Sequence, residues 1–162
     1  MNYPIKAFCL NGNVDGEKIE VFIEEIFGFP ENTAYDGGYD FKGTVNICVG
    51  SYAVNSGIIY SSTGALYRLL TSLKQCYQSL KGTAKLCHSL ENDFIFDLKM
   101  TKWGHGVIEG EYQEFPDVNN KLTFEMETDQ TCILIAINAL QYIETLFGNE
   151  LGKRTKQALD CV

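Results

Sequence analysis

The chain has 162 residues, 45% of them hydrophobic, and a formal net charge of -8. This length suits one domain with a sizeable core, and we expect one domain over residues 1–148 followed by a short basic tail over 149–162. The excess of acidic residues argues against nucleic acid as a direct partner, because phosphate binding depends on clustered Lys and Arg.

The first sixty residues predict strands. Hydrophobic runs at 5–10 and 19–27 flank the Asn-Gly and Asp-Gly turns of 11–16, which is the signal of a hairpin. Hydrophobic and polar residues then alternate over 41–49, and a short strand is expected at 57–60.

The middle of the chain predicts a helix and three more strands. Residues 63–80 place hydrophobic side chains at helical spacing on one face. Strands are expected at 84–89, 93–101 and 106–114, separated by turn-forming residues. The hydrophobic face of the predicted helix carries Leu66, Leu69, Leu70, Leu73, Cys76, Tyr77 and Leu80.

A last strand and helix fill residues 121–148. The strand alternates strictly, and the helix repeats hydrophobic residues at helical spacing. Thr128 or Asp129 can cap the start of the helix, and Gly148 can adopt the left-handed conformation that ends it. The chain is therefore predicted to be an α+β fold. We expect an antiparallel β-sheet, in one or two layers, with two long amphipathic helices packed on one face, and no internal repeat is visible.

The C-terminal segment resembles the signature of the WapI-type immunity proteins and related bacterial domains of unknown function. The resemblance lies in the last strand, the Asp129-Gln130-Thr131 turn and the Leu-rich closing helix. A Ser/Gly-rich turn and helix at 61–70, the exit turn at 80–84 and the strand at 106–112 extend it over about residues 60–148. It implies an immunity protein that binds and neutralises a cognate bacterial toxin. The three turn residues are assigned a structural role.

Immunity surfaces vary with their toxins, so contact residues are predicted from charge and periodicity. Long-range attraction can steer an acidic inhibitor into the positive cleft of a toxin that acts on nucleic acid. The alternative is that the chain is acidic only for solubility, as many cytosolic proteins are. If the helices cover one sheet face, the opposite face carries five carboxylates; a loop rich in acids and tyrosines is a second candidate. An ordinary solvated surface remains an alternative for both. The candidate contacts are Asp97, Glu109, Glu111, Glu125 and Glu127 on the sheet, and Tyr35, Asp36, Tyr39 and Asp40 in the loop.

Catalytic and cofactor sites are not predicted. His88 lies on a predicted strand and His105 in a glycine turn, and nothing pairs either with a nucleophilic cysteine. Metal ligands at characteristic spacing are not evident. We therefore expect no enzyme and no cofactor. A small-molecule or carbohydrate-binding module is the second hypothesis, and a hydrolase with a carboxylate pair is the third.

A cytoplasmic protein without a membrane partner is expected. The first ten residues lack a basic start and a long hydrophobic run, and no stretch has the eighteen or so consecutive hydrophobic residues of a spanning helix. The six cysteines show no paired spacing, so we predict reduced, mostly buried side chains.

Overall fold

The computed structural model of the chain describes residues 1–88, 90 and 92–153. Within these ranges, eight strands and two helices follow one another in an order that repeats. The strands are β1 (Ile5–Asn11), β2 (Lys18–Ile26), β3 (Asp40–Val49), β4 (Tyr52–Ser62), β5 (Thr83–Leu86), β6 (Phe94–Met100), β7 (His105–Gln113) and β8 (Lys121–Asp129); the helices are α1 (Thr63–Ser79), after β4, and α2 (Gln130–Phe147), after β8.

The strands form two antiparallel sheets, each built from four consecutive strands. The first sheet has the order β1-β2-β3-β4 and the second β5-β6-β7-β8. Each sheet ends in a strand that runs directly into a helix, so the fold is two successive units of four strands and one helix. The α+β class is confirmed, and the antiparallel strands form two sheets. The sequence gives no sign of this structural repeat.

One hydrophobic core is shared by both sheets and both helices. The rings of Phe8 in β1 and Phe96 in β6 lie 6.2 Å apart across it. The inward residues of the last strand, Phe124 and Met126, are buried as their alternation predicts. Because the inner face of each sheet is used in this way, the alternate residues of every strand face outward.

Side-chain hydrogen bonds join the two sheets at two corners. The hydroxyl of Tyr112 in β7 donates to the carbonyl of Ile58 in β4 at 3.0 Å, and Asp93 accepts the backbone N–H of Tyr60 at 2.9 Å. At the other corner, Thr128 of β8 donates its hydroxyl to the carbonyl of Asn11 at 2.8 Å. These bonds satisfy backbone groups of edge strands that would otherwise be open to pairing with another chain.

The helices lie antiparallel beside each other. The side chain of Gln130, at the start of α2, donates to the carbonyl of Tyr77, near the end of α1. Each helix also packs against the first strand of the other sheet, α1 against β5 and α2 against β1. The prediction that both helices cover one face of the sheet is therefore not confirmed.

Both helices begin at a side chain supplied by the preceding strand. Ser62 accepts the N–H of Ala65 at 3.1 Å, and Asp129 accepts the N–H of Cys132 at 3.0 Å. The predicted cap at Asp129 is confirmed. Gly148 ends α2 with φ 80° and ψ -161°, which is not the predicted left-handed helical conformation but is a region that only glycine readily adopts.

Other sequence predictions are met in part. The strand predicted at 57–60 is the longer β4, and the one predicted at 84–89 is β5, which ends at Leu86. The described cysteines are all unbridged: Cys76 is buried, Cys87 is exposed, and the other three are half-buried. Contrary to the prediction, most of them are not fully buried. The basic tail lies largely outside the described residues, which end at Lys153. Cys161 also lies outside them.

Helix α2 is long and hydrophobic enough to cross a membrane by length and composition, with a mean hydropathy of 1.2 over its 18 residues. The core helix of a soluble protein passes the same test. Six residues of α2 are buried, among them Ile133, Ile137 and Phe147. Since that face contributes to the shared core, packing explains the hydrophobicity of the buried face.

Replacing Asp129 by Ala is expected to lower the free energy of unfolding by about 1 kcal/mol, because the N–H of Cys132 loses its acceptor. Chemical denaturation measures the change, and Ser62→Ala, at the matching cap of α1, is the comparison. Partner binding should be retained by the folded fraction. A variant that unfolds normally but no longer binds would show that Asp129 is a contact residue.

Replacing Tyr112 by Phe keeps the ring in the core and removes the hydrogen bond to Ile58, which should cost about 1 kcal/mol. Burial raises the pKa of Tyr112 to about 12 from 10.0. The unfolded chain therefore ionises first as pH rises, and the native protein loses stability between these values. The stability difference between the native chain and Tyr112→Phe should shrink from pH 10 to 12. A difference that is constant with pH would contradict this account.

Candidate partner-binding surface

The outward face of the second sheet carries a row of charged residues in register across all four strands. Lys85 of β5 lies opposite Asp97 of β6, Asp97 opposite Glu109 of β7, and Glu109 opposite Glu125 of β8. Neighbouring strands are about 4.8 Å apart. Three carboxylates therefore follow one another across three adjacent strands.

Two more predicted carboxylates flank this row. Glu111 lies opposite Thr123, and Glu127 lies opposite Val107. Glu111 is half-buried and Glu127 is exposed. We call the outward surface of the second sheet that bears Asp97, Glu109, Glu111, Glu125 and Glu127 the acidic face. The structure thus brings together all five sheet residues predicted from the sequence.

Only part of the acidic face is neutralised. Lys85 Nζ lies 3.7 Å from Asp97 Oδ1, and Lys121 Nζ lies 3.0 Å from Glu111 Oε2. Within the described residues, Glu109 and Glu125 form no ion pair. Like charges directly opposite each other on adjacent strands destabilise a sheet, so the centre of the acidic face carries an electrostatic cost.

The outward face of the first sheet shows the opposite arrangement. Glu20 on β2 lies 2.8 Å from Lys6 and 3.1 Å from Lys18. Hydrogen bonds from these two ammonium groups lower the pKa of Glu20 below its usual value. The same chain therefore pairs charges on one sheet and places carboxylates side by side on the other.

An open cavity of about 480 Å³ lies over the carboxylate row. Its lining includes Lys85, Asp97, Glu109, Glu111 and Glu125. Four carboxylates against one ammonium give the cavity a negative potential, which suits a cationic ligand or protein surface.

A glycine in the central strand lets the core pack beneath this surface. A Cβ atom at Gly110 would lie 2.5 Å from Cζ of Phe124 and 3.0 Å from Cβ of Phe96. On its inner side, between the outward residues Glu109 and Glu111, the strand therefore closely approaches the ring of Phe124 and the Cβ atom of Phe96. The acidic face is supported by a close-packed layer, which makes it a rigid platform.

The carboxylates are not arranged as a metal site. Within the described part of the chain, no group of three His, Cys, Asp or Glu side chains is placed to hold a metal ion. Burial raises the pKa of the thiols of Cys9, Cys76 and Cys132, so these thiols remain protonated near neutral pH and are poor nucleophiles. The arrangement supports binding of positive charge more readily than covalent chemistry.

The second predicted contact region, the loop before β3, divides into exposed and structural residues. Tyr35 is 89% exposed, and Asp40, at the start of β3, is exposed as well. Asp36 lies 2.7 Å from Arg68 of α1 and fixes the loop to that helix. Of the four contacts predicted in this loop, Tyr35 and Asp40 are therefore the ones open to a partner.

Tyr39 was predicted as a contact residue and is instead part of the core. It is 1% exposed, and its ring meets Phe29 edge-on at 5.1 Å. Its hydroxyl donates to the carbonyl of Pro30 and accepts the N–H of Lys153, each at 3.0 Å. These contacts tie the loop to the C-terminal end of the described chain, so a partner cannot reach the side chain.

Trp103 is an exposed aromatic residue that is not among the contacts predicted from the sequence. It lies between β6 and β7 with φ 56° and is 91% exposed. Exposed tryptophans are frequent energetic anchors of protein interfaces. The available signal was a large aromatic residue inside a polar Lys-Trp-Gly-His turn.

Histidine placement gives little support to catalysis. His88 is 7% exposed, and its Nε2 lies 3.7 Å from Asp36 Oδ2 and 3.6 Å from Asp40 Oδ1. It therefore belongs to the polar cluster that surrounds Asp36. His105 lies at the start of β7, where its carbonyl accepts the N–H of Thr101 at 2.9 Å.

The chain matches the sequence model of a known protein family. A sequence model of the "Immunity protein WapI-like family" matches residues 9–148 of the chain. This range includes all eight strands and both helices, except for the first four residues of β1. A search of curated proteins finds no match.

Replacing Glu109 by Lys is expected to raise the thermal unfolding midpoint of the isolated protein. The new ammonium lies between Asp97 and Glu125 and converts two repulsive neighbours into attractive ones. Thermal unfolding at low salt measures the change, with Glu31→Lys, an exposed charge reversal outside the sheets, as the control. The gain should diminish in high salt. An equal rise in the control would contradict a local effect.

Proposed function

The chain belongs to the WapI-like immunity protein family, and we propose that it binds and neutralises a cognate polymorphic bacterial toxin by stoichiometric blockade. In this proposal the protein acts in the cytoplasm, against a toxin delivered by a neighbouring cell or encoded beside it. It inhibits by occupying a surface and carries out no chemical turnover.

The observation that carries the partner assignment is the in-register carboxylate row on β6, β7 and β8. Glu109 and Glu125 stand opposite each other without an ion pair in the described residues. A cationic partner would relieve this repulsion when it binds. The free protein is therefore less favourable electrostatically than the complex, which supports a basic toxin surface as the ligand.

Charge also supports a steering role. The chain has a net charge of -8, and the unpaired carboxylates concentrate negative potential at one open cavity. A toxin that acts on nucleic acid needs a positive cleft to hold phosphates. Long-range attraction would orient the two proteins before contact and raise their association rate.

The proposed blockade depends on the rigidity of the sheet. The acidic face is carried by backbone that packs closely on Phe96 and Phe124 through Gly110. The backbone of such a support loses little conformational freedom on binding, so more of the contact energy appears as affinity. Occupation of the toxin's cleft by this surface would exclude its substrate.

A second candidate is a small-molecule or carbohydrate-binding module. The cavity over the acidic face has about 480 Å³, which is within the usual range for ligand sites. Its lining combines carboxylates with the hydrophobic side chain of Ile95. A screen of metabolites and glycans by thermal shift separates the hypotheses, because a module would be stabilised by a small ligand alone.

The double charge reversal Glu109→Lys/Glu125→Lys is expected to weaken binding of the toxin domain encoded beside the gene by at least about tenfold, equal to about 1.4 kcal/mol. Two attractive contacts become repulsive, while folding is retained. Titration calorimetry with the purified proteins gives the affinity and the ratio of the two chains. Protection of growth during toxin expression should decrease in parallel.

Glu25→Lys/Glu31→Lys is the matched control, because it changes the net charge equally at exposed positions outside the acidic face. It should bind nearly as well as the native chain at moderate salt. Equal weakening by both pairs would mean that total charge, and not the acidic face, determines affinity. One-to-one binding unaffected by the acidic-face pair would place the contact elsewhere, and no binding at all would contradict the proposed function.

A further inference from the structure

The outward face of α2 is exposed and uncharged over its whole length. Ile135 is 48% exposed, Tyr142 58% and Leu134 36%. Glu144, the one charged residue in the α2 sequence, is half-buried. The exposed stripe consists of Thr131, Leu134, Ile135, Asn138, Tyr142 and Thr145, together with Gln141.

Two of the three exposed residue pairs that lie at equal distances from Asn138 match in character, and the third pairs Ile135 with Gln141. Thr131 and Thr145 are each seven residues from Asn138, and Leu134 and Tyr142 are each four residues away. Two α2 helices laid antiparallel about a two-fold axis at Asn138 would therefore bring Thr to Thr and Leu134 to Tyr142. Such a self-complementary surface is what an isologous dimer requires.

We propose that the α2 stripe binds a second copy of this chain in an antiparallel, two-fold symmetric dimer. Asn138 would meet its own copy at the axis, where two amides can exchange hydrogen bonds. A single polar residue in an otherwise hydrophobic helical seam is known to fix register and oligomeric state. The α2 stripe is more polar than such a seam, because Thr131, Gln141 and Thr145 accompany Asn138. It shares the central amide, with Leu134, Ile135 and Tyr142 around Asn138.

Charge favours a second copy over a basic partner. Each chain carries a net charge of -8, so two copies can approach closely only where carboxylates are few. The α2 stripe meets that condition, whereas a basic partner would be drawn to the acidic face. At one end of the stripe the ammonium group of Lys153 donates a hydrogen bond to the backbone carbonyl of Thr145 at 3.3 Å. Lys153 therefore places a positive charge at that end.

The neighbouring helix extends the uncharged surface. The exposed positions Thr71, Gln75 and Gln78 of α1 are also uncharged, and Lys74 is half-buried. In one copy, α1 and α2 are each about 27 Å long and their axes lie roughly 8–10 Å apart. Together they present a surface of roughly 27 by 20 Å. The corresponding buried area of about 1,000 Å² for both partners is at the lower limit of specific interfaces, so we expect a weak dimer.

A lipid surface suits the stripe less well than a second copy. Helices that lie on membranes usually carry Lys or Arg along their polar face, and α2 has neither. Its inner face is also occupied by the core, including Ile133 and Ile137. Binding to lipid vesicles is nevertheless one outcome that the test distinguishes.

Sedimentation equilibrium of the full chain over a range from about 1 µM to 1 mM tests the proposal. The mass should rise from that of one chain toward that of two. Leu134→Lys and Tyr142→Glu should each remain monomeric, because each places a charge in the seam. The double variant should recover the dimer, because the lysine at position 134 of one copy then faces the glutamate at position 142 of the other. Within one helix these two positions are about two turns apart, too far to pair with each other.

Tyr52→Glu, at an exposed aromatic residue that begins β4, is the control and should dimerise normally. Circular dichroism must show the native fold for every variant, which is expected because the substituted side chains are exposed. A native chain that stays monomeric throughout, or a double variant that does not recover the dimer, would overturn the proposal. So would a monomer that binds anionic vesicles through this stripe.

Discussion

The shared core determines what each surface of this protein can be. Both sheets turn one face inward, where Phe8 and Phe96 meet, and both helices use one side for the same core. Strand geometry then sends alternate residues outward. On the second sheet these outward residues include Glu109 and Glu125, so the packing of the inner side fixes the position of every carboxylate on the outer side.

The two sheets treat that constraint differently. On the first sheet Glu20 forms ion pairs with Lys6 and Lys18, and these pairs stabilise the charged groups of that face. On the second, Glu109 and Glu125 lie opposite each other on neighbouring strands beneath the cavity, with no ion pair within the described residues. A chain that leaves these charges unpaired is less stable than one that pairs them, and binding of the proposed cationic partner would offset the cost. Trade-offs of this kind are common at functional surfaces.

Much of the acidic face could be predicted from the sequence, because alternation alone places Glu109, Glu111, Glu125 and Glu127 on one side of their strands. Their alignment across strands could not, since register depends on turns and packing. The loop prediction was wrong at Tyr39 because acid and tyrosine patterns do not show burial. The structural repeat depends on long-range packing, which local patterns do not contain.

The central claim is that the acidic face attracts a basic toxin surface. It is tested most directly by the association rate constant of the purified toxin domain with this protein, measured by stopped flow at increasing salt. Steering predicts a rate that falls at least about tenfold between roughly 0.05 and 0.5 M salt, and a slower, flatter profile for Glu109→Lys/Glu125→Lys. A rate that is independent of salt, or a profile unchanged in that variant, would contradict the account.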